Sequence, residues 1–475
     1  MTIRKKTKIV ATIGPSSEDK AILKKMIKAG LNVARLNFSH GDYDEHQKII
    51  QNVRELSEEL GVPVAILADL QGPRIRTVIT SASPVPFHAG DIFSVTDQSS
   101  PDTKSDIAFD HEDIISHLEV DHRILIEDGL IELAVVAKEK NLVRAVAKNN
   151  GVFKNHKGVI LPDTELELEI LSDKDRRDLT FAVQEGVDYI GLSFVGSASD
   201  IEKARALISE VQPEVSLQPE IVSKIERKIA VQNLTEIIKA TDAVMVARGD
   251  LGIETPEAEV IILQKRIIAE SLSSAKPVIV ATQMMKSMTT NPRPTRAEVS
   301  DVSNAVIDHA DALMLSEETA AGEYPVETVA MMAEIIEKTE SSPYDDLYKM
   351  LELNFHSEYA LLVRSVYSLA KSFDTAAIVV SSIRGYTAKL ISHFRPEQTI
   401  LVATPSRSVY QKLALVWGIK SYLLEDEKSF DNLPEKLMKL AKENGDLQAG
   451  NQVAVLLGRD QNDNPVRLVG IREVR

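Results

Sequence analysis

The chain has no cysteine among its 475 residues, a single tryptophan and only 5% aromatic residues. Without a thiol there is no disulfide, no thiolate metal ligand and no cysteine nucleophile, so any metal must be held by oxygen or imidazole. The absence fits a reducing compartment, and a cytoplasmic protein is the expectation. Positive charge is in deficit: 55 lysines and arginines stand against 71 aspartates and glutamates, a formal charge of -16. Such a balance does not suit a surface that binds nucleic acid or an anionic membrane, and neither partner is expected. Long apolar runs are missing too. None approaches the roughly 18 residues a membrane span needs, and the apolar stretch after the basic start MTIRKK breaks too early, at Gly14-Pro15, for a signal peptide. The ten histidines show no metal-ligand spacing.

What the chain does have is a period. With 44% hydrophobic and 27% charged residues it is a globular composition, long enough for roughly three domains. Short apolar runs alternate with amphipathic segments, as in β-α units around a parallel sheet. Eight candidate strands read KIVATI from Lys8, VARLNF from Val33, VAILAD from Val64, YIGLSFV from Tyr189, EIVSKI from Glu220, AVMVA from Ala243, PVIVAT from Pro277 and ALMLS from Ala312. Helical patterns follow them, among them Asp19–Lys28, Tyr43–Leu60, Asp175–Glu185, Ala198–Glu210 and Pro256–Ser273, and eight such units close a barrel. The period breaks once: residues 73–159 alternate as strands do (DIFSVT, RILIEDGLIELAVV, LVRAVA), with turn residues such as Asp128-Gly129 between them. From about 341 it restarts with a helical stretch, Tyr359–Ser372, and the strands AAIVVSS, TILVAT, SYLL and QVAVLL. The predicted fold class is therefore α/β: a (β/α)8 TIM barrel in two parts, 1–72 and 160–340, an inserted small β-barrel domain at 73–159, and a C-terminal α/β domain with a mostly parallel sheet at 341–475.

In such a barrel the working residues come from the carboxyl ends of the strands. Strand two ends in Arg35, Asn37, Ser39 and His40, strand three in Asp69, strand four in Ser193-Phe194 and strand five in Lys224 and Glu226. Strand six ends in Arg248-Gly249-Asp250, strand seven in Thr282-Gln283 and strand eight in Ser316-Glu317-Glu318-Thr319. Residues two apart on a strand share a face, so Lys224 and Glu226 point together, and Asp250 would bring a second carboxylate to the same lysine. Carboxylates without histidine or thiol partners suit a hard cation such as Mg²⁺. A lysine beside it reads as a charge stabiliser for a phosphoryl or enolate oxygen. Gly249 lets backbone amides approach an anionic substrate. A lone strand-end lysine or carboxylate is more often an ion-paired loop residue, and Met284, Met285 and Met288 read as core. Convergence across seven strands is what marks a site.

These motifs, with SFVGSASDIEKAR, ATQMMKSM and NPRPTRAEVSDVSNAVIDHADALMLSEETAAGEYP, stand in the order found in one family, and the chain resembles pyruvate kinase along nearly its whole length. The resemblance implies transfer of the phosphoryl group of phosphoenolpyruvate to ADP, giving pyruvate and ATP in glycolysis. It implies Mg²⁺ (or Mn²⁺) on Glu226 and Asp250, Lys224 neutralising the phosphoryl group and the developing enolate, and Arg35 on the transferred phosphate. It places the substrate carboxylate on the amides around Gly249 and Asp250 and on Thr282, with Thr282 and Ser316 serving enolate protonation. Pro15, Asn37, His40, Arg76 and Lys174 match the nucleotide side, the inserted domain would be a lid that excludes water, and the assembly would be a homotetramer.

The chain also departs from the family pattern. Potassium-dependent members read Thr-Lys-Gly-Pro-Glu where this chain has Leu70-Gln71-Gly72-Pro73-Arg74. Leu-Gln with a lysine at the last position resembles the potassium-independent group, so Arg74 is the expected replacement cation and Asn37, Ser39, Asp69 and Leu70 the remnant of the monovalent site. K⁺ is then not required. Ile160 and Asp163 replace the family's Asn and Gly, Gly196-Ser197 replace Arg-Lys, and Glu317 replaces a small residue beside Ser316. In the last domain Ser381, Ser382, Arg384, Gly385 and Thr387 match the family's cradle for the phosphate of an allosteric effector. Two other readings are a catalytically silent regulatory relative and another phosphoenolpyruvate- or pyruvate-using barrel enzyme. The first would have lost a member of the set Lys224, Glu226, Asp250 and Thr282, and the second would lack the inserted domain at this point.

Overall fold

The computed structural model describes residues 5–79, 84–98, 105–127, 129–164, 166, 169–345, 358–425, 433–459 and 465–475. The eight expected strands form: Lys8–Thr12, Val33–Asn37, Ala65–Asp69, Tyr189–Leu192, Glu220–Ile225, Ala243–Ala247, Val278–Ala281 and Ala312–Leu315. They pair in parallel into one closed barrel, the eighth returning to the first with Lys8 opposite Ala312. Both faces of each strand are buried, which is why the sequence shows continuous apolar runs. Val10, Leu67, Tyr189, Met245 and Met314 fill the barrel interior, while Ile9, Leu36, Ile66 and Val244 face the surrounding helices. Met284, Met285 and Met288 are fully buried, as expected.

The helices start where the sequence provides caps. Asp42 and Glu45 form a reciprocal capping box for Tyr43–Leu60, which stops at Gly61 in the left-handed conformation. Ser172 with Asp175 and Thr295 with Glu298 do the same for Asp173–Gln184 and Arg296–Ile307.

Between the third and fourth barrel strands, seven short strands close a second barrel and two more, Val85–Phe87 and Gly151–Phe153, pair beside it. Its core holds Phe109, Leu133 and Val143 with the stacked rings of Phe87 and Phe153. Of the expected Asp128-Gly129 turn, Asp128 lies outside the described residues. Gly129 and Glu127 both adopt positive φ there.

The C-terminal sheet runs Ile419–Leu423, Thr399–Thr404, Ala377–Ser381, Gln452–Arg459 and Pro465–Glu473. The first four are parallel. The fifth, which the sequence reading did not identify as a strand, is antiparallel to its neighbour. This domain closes the amino ends of the barrel strands. Ala414 and Leu415 join the barrel's interior cluster, Tyr189 Oη donates to Lys412 O at 2.7 Å, Lys8 Nζ donates to Ile419 O at 2.7 Å, and Arg395 pairs with Asp311 at 3.0 Å while stacking on Trp417. The opposite, carboxyl end of the barrel is left to the site.

Candidate active site

Four charged side chains interlock at the carboxyl ends of strands two, three and five. Lys224 Nζ donates to Ser193 Oγ and to Glu226 Oε1, each at 2.8 Å, and stands 3.4 Å from Asp69 Oδ1. Asp69 Oδ2 accepts Arg35 Nε at 2.7 Å and Nη2 at 2.6 Å, and Arg35 Nη1 donates to Thr12 Oγ1 at 2.8 Å. Exposure is 1% for the Asp69 side chain, 2% for Glu226 and 12% for both cations, so these charges act in a low dielectric. Burial pushes the Asp69 carboxyl up, but Lys224 and Arg35 together outweigh it and hold the group below the usual carboxylate range. Burial would strip the Lys224 proton, yet Asp69 and Glu226 outweigh that and raise its pKa, so it remains an ammonium. Glu226 is raised by burial and by the negative charge of Asp250, against the pull of Lys224 and the Phe194 N–H at 2.7 Å.

Missing side chains make this packing possible. A Cβ at Gly191 would lie 3.0 Å from Asp69 Oδ1, and one at Gly72, where φ is +73°, would lie 2.8 Å from both Ser193 Cβ and Phe194 Cδ2.

Strands six to eight supply a second group. The sixth runs directly into the short helix Arg248–Glu254, and Gly249 N donates to Thr282 Oγ1 at 2.9 Å. Thr282 and Gln283 both have positive φ, +70° and +55°. Ser316 stands at the N-terminus of the short helix Glu317–Ala320, and its hydroxyl makes no capping hydrogen bond. Its N–H donates to Glu318 Oε2 at 2.7 Å, and Glu318 Oε1 accepts Met285 N at 3.2 Å. Glu317, the departure from the pattern, faces solvent, whereas the buried Glu318 ties strands seven and eight together. That role was not read from the sequence.

The nucleotide-side residues gather in part. Lys174 Nζ reaches Phe38 O at 2.6 Å and so stands beside the Asn37–His40 turn, in which Asn37 Oδ1 accepts Ser39 N at 3.2 Å. His40 is exposed, and Pro15 lies exposed in the loop after strand one, next to Ser16, which bonds Ala320 O. Arg76 sits on the inserted barrel, its main chain bonded to Asp110, with no hydrogen bond to the others. Leu70 O accepts Ser193 Oγ at 2.7 Å. Arg74 is exposed and lines a cleft between the two barrels with Ile160, Phe194, Arg227 and Asp250, making no ion pair with Asp69. Asp163 holds Arg123 through both its oxygens, and Gly196 N joins the cap of the helix from Ala198 through Asp200. In the last domain Ser381 and Ser382 are buried, the Ser381 hydroxyl has no partner among the described residues, Arg384 is exposed and Gly385, at φ +76°, precedes the helix Tyr386–Ser392, which contains Thr387.

For a metal the donor set is hard oxygen. Glu226 and Asp250 repel one another, and the Glu226 oxygens, each accepting one bond, keep lone pairs. Among the described residues no group of three or more His, Cys, Asp or Glu could hold a metal ion, and one or two carboxylates completed by substrate oxygens and water is the set Mg²⁺ takes. The residues fit it.

A closed parallel barrel with fixed cations and paired carboxylates at its strand ends, beneath an inserted β-barrel, defines a barrel enzyme built for a small anionic substrate. Residues 4–329 match the family model for the barrel domain of pyruvate kinase and residues 361–466 that for its alpha/beta domain. The chain is 40% identical over 460 residues to the pyruvate kinase of Geobacillus stearothermophilus, covering 96% of this chain and 78% of that one. It is 39% identical to pyruvate kinase 2 of Synechocystis sp. over 96% and 76% of the two chains. A crystal structure of a pyruvate kinase from Cryptosporidium parvum aligns with a TM-score of 0.93 at 32% identity, over 99% of this chain and 97% of that one. The chain belongs to the pyruvate kinase family. It is accordingly an enzyme that transfers the phosphoryl group of phosphoenolpyruvate to ADP.

Proposed function

We propose that the transfer occurs where Arg35, Lys224, Glu226 and Asp250 meet, and the observation that carries this is the buried Lys224 ammonium, fixed at 2.8 Å by Ser193 and Glu226. Charge builds on the phosphoryl group in flight and on the enolate oxygen it leaves, and a preorganised ammonium in a dry site stabilises both. Arg35 uses three N–H groups on Asp69 and Thr12 and keeps two for the transferred phosphate. Glu226 and Asp250 would hold Mg²⁺ (or Mn²⁺), which when bound supplies further neutralisation of substrate oxygens. The substrate carboxylate lies on the amide of Asp250 beside Thr282, the Gly249 amide, expected to share it, being spent on Thr282 Oγ1, and Thr282 with the Ser316 hydroxyl positions the proton chain that protonates the enolate. Pro15, Asn37, His40, Arg76 and Lys174 form the nucleotide side for ADP and ATP, and the inserted domain excludes water. Lys224→Met is expected to lower turnover by on the order of a thousandfold with the fold retained. Turnover within a factor of a few of wild type would remove the role. A silent relative is disfavoured because the four chemical residues are all present.

Potassium is not required in this reading. The acid of the monovalent site, Asp69, already faces two fixed cations, Arg35 and Lys224, and the Leu70 carbonyl accepts the Ser193 hydroxyl. Arg74 adds positive charge in the cleft nearby. Adding KCl at constant ionic strength should leave the rate nearly unchanged, and a many-fold rise would reject the reading. The enzyme is proposed to act in the cytoplasm as a homotetramer of the 52.4 kDa chain, an assembly that sedimentation would confirm or replace. Among the described residues no helix is long and apolar enough to cross a membrane. The Ser381–Thr387 loop is proposed to take the phosphate of an allosteric effector, supported by the buried unpartnered hydroxyl of Ser381 and the exposed Arg384.

A further inference from the structure

Thr282 is held in a conformation its side chain disfavours. It is β-branched and sits at φ +70°, followed by Gln283 at +55°. Left-handed backbone at such residues is strained and persists only where the surroundings over-determine it. Two consecutive residues at the start of the helix Arg248–Glu254, which follows strand six, do so. Arg248 Nη2 donates to the Thr282 carbonyl at 2.8 Å, and Gly249 N donates to Thr282 Oγ1 at 2.9 Å. Arg248 is itself fixed: Asp301 accepts from Nη1 at 2.8 Å and from Nη2 at 2.7 Å, the buried Gln264 lies 3.4 Å from Nη1, and Met284 Sδ lies 2.9 Å from Nη2. Gln264 is anchored in turn by Asp308 at 3.1 Å. The guanidinium is therefore gripped by the helices Glu257–Ser273 and Arg296–Ile307 and reaches across to the end of strand seven.

The direction of these bonds matters. A backbone N–H can only donate, so Thr282 Oγ1 accepts from Gly249 and its own proton must be directed elsewhere. We infer that Arg248, locked by Asp301, is a positioning residue that holds Thr282 in its left-handed conformation with the hydroxyl turned out as a donor for the proton step. The inference rests on the role given to Thr282 above. Arg248 touches no reacting atom in this scheme, and its effect is transmitted through the Thr282 carbonyl.

The test is a double-mutant cycle. Arg248→Lys and Asp301→Asn are each made in the wild type and in Thr282→Val, with folding checked by circular dichroism and the thermal midpoint. The readouts are kcat, KM for phosphoenolpyruvate, and exchange of the methyl hydrogens of pyruvate with deuterated solvent, which reads proton transfer alone. Each single variant is expected to lose about 10- to 100-fold in kcat and in exchange, with KM within about threefold. On the Thr282→Val background neither should lose more than about twofold further. An equal loss on both backgrounds, or a change confined to KM, overturns the positioning role while leaving Thr282 in place. If Thr282→Val alone leaves exchange intact, the role of Thr282 falls and the inference with it. Asp301→Asn, which keeps the shape of the carboxylate, carries the test if Arg248→Lys does not fold.

Discussion

Gly72 shows how one hydrogen in place of a methyl group can matter to the chemistry. At φ +73°, with Ser193 and Phe194 each 2.8 Å from where a Cβ would stand, alanine is both strained and crowded. Ser193 is one of the groups that fix Lys224, so the displacement falls on the ammonium proposed to act on the phosphoryl group. Gly72→Ala is expected to cost at least tenfold in kcat and several degrees of thermal midpoint. Gly61→Ala, at φ +62° with open space around it, should cost about 1 kcal/mol and no activity. Equal activity in the two variants would refute the argument. At this scale the sequence was informative about Lys224, Glu226 and Asp250, because two-residue spacing on a strand and the next strand's end already imply convergence. It was silent on Glu318 and Asp301. Both lie on helices, and the distant groups they hold, the Met285 N–H 33 positions earlier and an arginine 53 positions earlier, leave no local pattern.

Elements were legible in proportion to how completely they are buried. The barrel strands and the C-terminal strands Ala377–Ser381, Thr399–Thr404 and Gln452–Arg459 carry buried apolar runs, and such runs stand out without any alignment. Pro465–Glu473 escaped because Arg467, Gly470, Arg472 and Glu473 break it up and its Leu468 is half exposed, so no continuous apolar run appears. The loop after Ala377–Ser381 was legible as a hydroxyl-rich turn with glycine, but not what it binds. A panel of sugar phosphates assayed at low phosphoenolpyruvate should contain at least one that raises the rate of the wild type several-fold and leaves a double Arg384→Ala, Thr387→Ala variant unmoved. No response from the wild type to any of them would rule the loop out as an effector site of that class.

For the molecule as a whole, the contact between barrel floor and C-terminal domain sets its behaviour in acid. His393 is enclosed with neither ring nitrogen partnered among the described residues, and burial together with nearby Arg395 pushes it down to about 3. Burial, again with Arg395, pushes His309 down to about 4. In the unfolded chain both titrate near 6.5. Above that pH neither state is charged and stability is unaffected. As pH falls below it the unfolded chain binds protons the folded one refuses, so stability declines by at most about 1.4 kcal/mol per pH unit for each histidine. The thermal midpoint should drop between pH 6.5 and 5, and His393→Leu should remove about half of that drop. A variant with an unchanged acid slope would show that the floor does not titrate. The same floor also bears on how the chain is made. Strand eight ends at Leu315, yet the apolar interior of the barrel is completed by Ala414 and Leu415. On the ribosome every barrel strand is therefore synthesised before the residues that cork it, and the barrel interior stays open to water until part of the C-terminal domain has followed.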